Sequence, residues 1–135
     1  MSIDHDGLFK LLISTFFIEF IELFLPNIAA DIDKDSIEFL PEQVLIDITA
    51  GKKKIIDLLA KVKYKNQSTF FLVHVEAQSY VESEFAKRMF IYFSSLYKLY
   101  DLPIYPVVIF SFDEPLREEP ACTYRHISRF RCAEV

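Results

Sequence analysis

The chain has 135 residues, of which 52% are hydrophobic and 16% aromatic, with only 2 glycines. This composition excludes a disordered chain or a Gly-rich repeat, and the length indicates one compact domain. The net charge of −5 is unfavourable for nucleic-acid binding, because basic side chains that neutralise phosphates supply most of its sequence-independent affinity. The charge is uneven, however, since residues 52–101 hold 9 basic and 5 acidic side chains while residues 1–51 hold 2 and 10.

The cysteines and the N-terminus predict a reduced, cytoplasmic setting. Cys122 and Cys132 belong to no Cys-x-x-Cys or Cys/His grouping, and residues 1–6 lack the basic region of a signal peptide. The apolar run Leu8–Leu25 approaches the length of a membrane-spanning helix. Three charged residues interrupt it, Lys10, Glu19 and Glu22. We therefore expect an amphipathic helix that packs on the core, and no membrane partner.

The first elements follow from apolar spacing. Apolar residues recur at helical spacing from Asp6 to about Leu25, which predicts one helix. The polar stretch Asp31–Ser36 is typical of a loop. Apolar β-formers follow at Ile37–Phe39 and Val44–Ile48, so a first strand is expected there.

Three further elements complete the predicted core. Lys54–Tyr64 and Thr69–Ser79 are β-rich runs joined by the polar stretch 65–68, which predicts an antiparallel hairpin. Glu82–Asp101 returns to helical spacing, and Tyr105–Phe112 reads as a short buried strand. The order helix, three strands, helix, strand predicts an α/β fold with a small mixed sheet flanked by helices. The last strand follows a crossover helix and should be parallel to a neighbour.

The hairpin register places two acidic residues opposite each other. Side chains on a strand alternate between faces, and a turn centred on residues 66–67 sets Leu59 opposite His74. The same count sets Asp57 opposite Glu76. Opposed like charges destabilise a sheet unless something neutralises them, and a divalent cation is the simplest candidate.

This pair favours Mg²⁺, with Mn²⁺ as a second option, because both ions prefer oxygen ligands and often use one or two carboxylates with water and substrate phosphate. Gln78 lies on the same face as Glu76 and adds an amide. Two carboxylates and an amide at the edge of a sheet make a phosphodiesterase plausible.

At this point the residues resemble a known family. Ile56-Asp57 and Val75-Glu76-Ala77-Gln78 look like the PD-(D/E)XK nuclease signature, with Gln in place of the usual Lys and without the proline before the aspartate. An ordered set of five segments resembles the recombination-promoting nuclease and putative transposase (Rpn) family over residues 5 to about 115. The segments are His5-Asp6-Gly7-Leu8-Phe9-Lys10, Asp57-Leu58-Leu59-Ala60-Lys61-Val62, Val73-His74-Val75-Glu76-Ala77-Gln78, Phe85-Ala86-Lys87-Arg88-Met89-Phe90 and Leu102-Pro103-Ile104-Tyr105-Pro106.

The resemblance implies a restriction-endonuclease-like αβββαβ fold and a Mg²⁺-dependent DNA endonuclease. It implies that Asp57 and Glu76 bind the metal, with the backbone carbonyl of Ala77 as a further ligand, and that Gln78 stands where the catalytic lysine usually stands. A neutral glutamine can only exchange hydrogen bonds, so we expect it to position water or phosphate. Residues 1–115 would form the nuclease-like domain and residues 116–135 an irregular tail, which a truncated copy would explain.

Several further residues have both a functional and a structural interpretation. Glu22 or Glu19 on the first helix would complete the acidic site, or would belong to a solvated helix face. His74 would be a ligand or base, or a packed core residue. Lys61 and Arg88 would contact DNA phosphates, or would serve solubility.

Two main hypotheses of function follow. The first is a Mg²⁺-dependent DNA endonuclease that acts through Asp57, Glu76 and Gln78. The alternative is a catalytically inactive remnant of the nuclease fold that binds DNA or a protein partner. The high aromatic content also allows a homodimer.

Overall fold

The computed structural model describes residues 5–41, 44–47, 52–78, 85–110, 121–124, 127–131 and 133–134. The helices are α1 His5–Thr15, α2 Phe17–Phe24, α3 Pro26–Ala29 and α4 Phe85–Tyr100. The strands are β1 Ile32–Phe39, β2 Val44–Asp47, β3 Lys52–Ile55, β4 Leu58–Tyr64, β5 Phe70–Gln78, β6 Ile104–Phe110, β7 Ala121–Tyr124, β8 Ile127–Arg131 and β9 Ala133–Glu134. Among these helices, none is long and apolar enough to cross a membrane.

Five of the described strands form one mixed sheet in the order β1-β4-β5-β6-β9. The β1–β4 and β4–β5 pairs are antiparallel, whereas β6 is parallel to β5 and to β9. The N-terminal helices, β1, β4, β5, α4 and β6 follow one another in the predicted αβββαβ order, with the hairpin β2–β3 inserted before β4. The mixed α/β fold predicted from the sequence is therefore confirmed.

The two faces of the sheet carry different hydrophobic cores. Helices α1 to α3 cover one face, where Phe17 and Ile21 pack against Ala60, Val73 and other small strand residues. Helix α4 covers the opposite face and contributes Phe85, Met89, Tyr92 and Leu96. Aliphatic and aromatic side chains dominate both cores, so burial of apolar surface holds the helices on the sheet.

The β4–β5 hairpin has the predicted register. The backbone N–H of Tyr64 donates to the Thr69 carbonyl at 3.0 Å, and Leu59 pairs with His74. Asn66 has a φ of 61° in the connecting turn, a conformation that asparagine tolerates better than most residues. The turn therefore fixes which residues of the two strands face each other.

Several predicted elements differ in the structure. The polar stretch Asp31–Ser36, predicted to be a loop, lies largely within β1. It can be polar because β1 is an edge strand whose outward side chains reach solvent. The predicted first helix is interrupted at Phe16, whose φ of −111° and ψ of 33° leave the helical region and separate α1 from α2.

The predicted strand Lys54–Tyr64 is also divided. β3 ends at Ile55 and pairs with β2 in a separate two-stranded sheet, whereas β4 begins at Leu58. Val44–Ile48 was predicted to belong to the first strand together with Ile37–Phe39, but Val44–Asp47 forms the separate strand β2. Asp57 lies in the break between β3 and β4, where its backbone N–H donates to Glu76 Oε1.

Residues 116–135 were expected to be irregular, but short strands occur there. β7 pairs with β8 in a two-stranded sheet, and β9 joins the edge of the main sheet beside β6. The ends of the predicted elements at residues 79, 82–84 and 111–112 lie outside the described residues. The domain boundary near residue 115 stays a prediction.

Candidate functional site

Asp57 and Glu76 meet at the end of the β4–β5 hairpin. The backbone N–H of Asp57 donates to Glu76 Oε1 at 3.2 Å, and the backbone N–H of Ala77 donates to Asp57 Oδ2 at 2.9 Å. Each acidic residue therefore contacts the strand that carries the other, and the two carboxyl groups converge as the hairpin register predicts.

The pKa of Glu76 is shifted by its surroundings at this site. The residue is 3% exposed, and burial raises its pKa to about 6, although hydrogen bonding with Asp57 and the positive charges of Arg88 and Lys10 oppose the rise. With a pKa of about 6, Glu76 is mostly ionised at pH 7, so its carboxylate is available to a cation there.

His74 holds Glu76 from the side of the core. It is fully buried, and its Nε2 lies 2.8 Å from Glu76 Oε1. Burial lowers the pKa of His74 to about 3, so the imidazole is neutral near pH 7 and carries one N–H. Its Nδ1 has no hydrogen-bond partner in the described part of the chain. Because a buried N–H without an acceptor is rarer than an unpaired lone pair, the proton belongs on Nε2 and is donated to Glu76.

Gln78 and Arg88 connect this strand end to helix α4. Arg88 Nη2 donates to Gln78 Oε1 at 2.7 Å, and Gln78 is 2% exposed. An arginine can only donate, so the amide oxygen of Gln78 must face it. The guanidinium lies 5.2 Å from the Phe85 ring and 5.9 Å from the Tyr92 ring, contacts that restrain its position.

The profile of the family described as "Putative transposase, YhgA-like" matches residues 3–109. The chain belongs to this family. It is the family that the ordered sequence segments resemble, so that prediction is confirmed. The match covers β4, β5 and α4, and with them every contact between Asp57, Glu76, Gln78 and Arg88 described above. No curated protein and no solved structure matches the chain.

The oxygen atoms of this YhgA-like site fit a hard divalent cation. Within the described ranges, no group of three or more His, Cys, Asp or Glu side chains is suited to a metal. Two carboxyl groups are nevertheless enough for Mg²⁺, which usually keeps several waters. The N–H and C=O of a strand residue point to the same side, so the Ala77 carbonyl faces the Asp57 side together with its N–H. The predicted ligand set of Asp57, Glu76 and Ala77 is therefore consistent with the geometry.

Two predicted residues of this YhgA-like chain lie apart from the carboxyl groups. Glu22 forms an exposed ion pair with Lys34 of β1, so its role as a further acid rests on the sequence alone. The Nζ of Lys61 lies 4.6 Å from the centre of the Phe70 ring. In the β4–β5 pairing Lys61 is opposite Leu72, which is four residues from Glu76 along β5. That separation is about 13 Å along a strand.

Sequence reasoning missed the role of Lys10. This α1 residue belongs to the His5–Lys10 segment of the family resemblance, but no role for it follows from the residue pattern. In the structure its charge is close enough to Glu76 to lower that residue's pKa. Two cations from different helices, Lys10 and Arg88, thus act on one buried carboxyl group.

Proposed function

We propose that the chain is a cytoplasmic, Mg²⁺-dependent DNA endonuclease that hydrolyses phosphodiester bonds at Asp57, Glu76 and Gln78. The observation that carries this proposal is the convergence of two carboxyl groups at the end of the β4–β5 hairpin, because paired carboxylates are the ligands that a hard divalent cation prefers. Mn²⁺ has the same ligand preferences and would also support activity.

The protein groups around the cation would hold the ligands in place. Asp57 and Glu76 would bind the ion, with the Ala77 carbonyl completing the protein ligands. The backbone N–H groups of Asp57 and Ala77 fix the orientation of the two carboxyl groups, and His74 fixes Glu76 from the core. When bound, the ion would neutralise charge on the scissile phosphate and lower the pKa of the attacking water.

DNA is the proposed substrate. The family is one of transposase-like proteins, which act on DNA, and residues 52–101 carry the only net positive third of the chain. Lys61 shares the face of Asp57 and would contact the DNA backbone at a distance from the cleaved bond. A track of this kind would give binding that weakens steeply with salt.

Nicking of a supercoiled plasmid tests the proposal. The purified chain should convert the plasmid to nicked and linear forms in Mg²⁺ and in Mn²⁺, and EDTA should stop the reaction. Calorimetry with Mg²⁺ separates the inactive remnant from the enzyme, since a remnant whose acidic pair is only structural should bind no ion there. Absence of both nicking and Mg²⁺ binding would overturn the proposal.

The binding of Mg²⁺ should depend on pH through Glu76. Its pKa is raised to about 6, and the ion binds the carboxylate, so affinity should fall about tenfold between pH 7 and pH 5. Calorimetry at constant ionic strength measures this directly. A flat profile over that range would contradict the assignment of Glu76 as a ligand.

Thermal stability would be a poor substitute for that measurement. The raised pKa of Glu76 means that the metal-free fold loses stability as pH rises through about 4.5 to 6. The lowered pKa of His74 has the opposite effect, because the fold loses stability as pH falls below 6.5. The two contributions oppose each other over most of the same window.

Self-association stays a prediction. Helices α1 and α2 and the junction between them carry six large apolar side chains that are about half exposed or more. A homodimer would bury this surface. They are Leu8, Leu11, Leu12, Phe16, Leu23 and Phe24.

A further inference from the structure

We propose that Arg88 supplies the positive charge that contacts the scissile phosphate, and that Gln78 is a positioning residue that aims it. This inference rests on the proposed function, because it concerns the same site. Position 78 carries no charge, although the nuclease signature places a lysine there. The neighbouring cation comes instead from α4, ten residues further along the chain, and its Nη2 contacts the Gln78 amide oxygen at 2.7 Å.

The charge of Arg88 acts on the candidate site itself. Arg88 bonds to Gln78, which lies two residues from Glu76 on the same face of β5, and its charge lowers the pKa of both Glu76 and His74. The Phe85 and Tyr92 rings restrain its position, and one of its N–H groups is directed at Gln78. A guanidinium has five N–H donors in a planar fork, so the bond to Gln78 is compatible with a two-point contact to a phosphate.

Charge balance explains why a second cation is useful. Asp57, Glu76 and one divalent ion together carry no net charge when both carboxyl groups are ionised. The phosphodiester brings one negative charge, and the transition state of hydrolysis develops a second one. A fixed guanidinium at this point would stabilise the added charge, as a lysine at position 78 would.

Gln78 has a separate task. Gln78 is 2% exposed and lies at the end of β5. Three residues earlier, Val75 pairs with Leu58 of β4, so the sheet holds the amide of Gln78 in place. Arg88 is half-buried near the start of α4, where a long side chain would otherwise sample many rotamers. The Gln78 amide oxygen therefore restricts the guanidinium to the side of the acidic pair.

A charge-exchange series tests this assignment. Arg88→Gln should lower the plasmid nicking rate by about 10² to 10³-fold, while Mg²⁺ affinity changes less than about threefold, because Arg88 is not a ligand. The double variant Arg88→Gln with Gln78→Lys should regain at least a tenth of the lost rate, since it restores one cation at the same place. Lys87→Gln is the matched control, because Lys87 is the exposed neighbour of Arg88 on α4, and it should nick like the parent chain.

A binding measurement gives a second readout that does not need turnover. Fluorescence anisotropy of a short duplex in Ca²⁺ should show that Arg88→Gln lowers the slope of log affinity against log salt by about 0.9, the value for one lost phosphate contact. Arg88→Lys should keep that slope but lose about tenfold in nicking, because the planar fork is lost. Circular dichroism melting checks that each variant is folded. If Arg88→Gln does not fold, the nicking rate and salt slope of Arg88→Lys decide the test.

The outcomes separate this inference from the proposed function. If the parent chain nicks DNA and Arg88→Gln nicks equally well, the inference is wrong and the proposed function stands. An equal loss in Lys87→Gln would also overturn it, because general charge on α4 would then be sufficient. If the parent chain binds DNA without nicking it, the proposed function fails, and an unchanged salt slope in Arg88→Gln would reject the inference independently.

Discussion

Asp57→Asn is expected to lower Mg²⁺-dependent nicking by about a thousandfold or more, because the variant loses a charged ligand from a site with only two. The fold should survive. An asparagine side-chain oxygen can still accept the hydrogen bond from the Ala77 N–H, which Asp57 Oδ2 now accepts at 2.9 Å. The change also removes one of two opposed carboxyl groups, so we expect a change in unfolding free energy below about 1 kcal/mol. Plasmid nicking, Mg²⁺ calorimetry and thermal melting together measure these effects.

Asp35→Asn is the matched control for this variant. Asp35 is an exposed residue of the edge strand β1, and the substitution makes the same chemical change outside the candidate site. Its nicking rate and Mg²⁺ affinity should equal those of the parent chain. Full activity of Asp57→Asn, with unchanged Mg²⁺ binding, would show that the acidic pair is structural and would favour the inactive remnant.

The acidic pair could be found from the sequence because local rules determine it. A short polar turn between two β-rich runs fixes the pairing register, and alternation of side chains then fixes which residues share a face. Counting outward from the turn therefore located Glu76 opposite Asp57. The break that separates β3 from Leu58 was missed, although Asp57, a residue type that is depleted in strands, lies in it, because a single polar residue does not show that pairing changes partner.

The polar contacts around the pair could not be derived in the same way. Whether Arg88 reaches Gln78 depends on how α4 sits on the sheet, and that is set by the packing of Phe85, Met89 and Leu96. Helical periodicity shows which face is apolar but not the position of the helix along the strands. His74 shows a second limit, because its burial in the core and its bond to Glu76 are both true. The two interpretations of that residue were never exclusive.

The edge strand shows where polarity misleads. Asp31–Ser36 has the composition of a loop, yet five of its six residues lie in β1, and Ile32 and Asp33 pair with β4. Ser36 accepts the backbone N–H of Lys63 through its hydroxyl oxygen at 2.9 Å, at an irregularity in the β1–β4 register. A polar side chain thus replaces a regular strand bond, and period-two alternation is lost from the sequence. Strands that pair on one side only need less apolar surface than central ones.

Leu96→Ala should cost about 2 to 5 kcal/mol of unfolding free energy, because it removes a fully buried side chain from the core between α4 and the sheet. For a chain of this size each kcal/mol lowers the melting temperature by roughly 4 °C, so the expected shift is roughly 8 to 20 °C. Denaturant unfolding and thermal melting measure it. Leu99→Ala is the control on the same helix, where the leucine is 58% exposed, and it should stay within about 0.5 kcal/mol of the parent chain.

This comparison also tests how the candidate site is assembled. Helix α4 carries Arg88, so the cavity left by Leu96→Ala should loosen the helix and lower nicking well below the melting temperature, while Mg²⁺ affinity, which depends on the β4–β5 hairpin, changes little. Equal stability of Leu96→Ala and Leu99→Ala would mean that α4 does not pack on the sheet through this face. The contact between Arg88 and Gln78 would then have no support, because only the seating of α4 brings the two residues together.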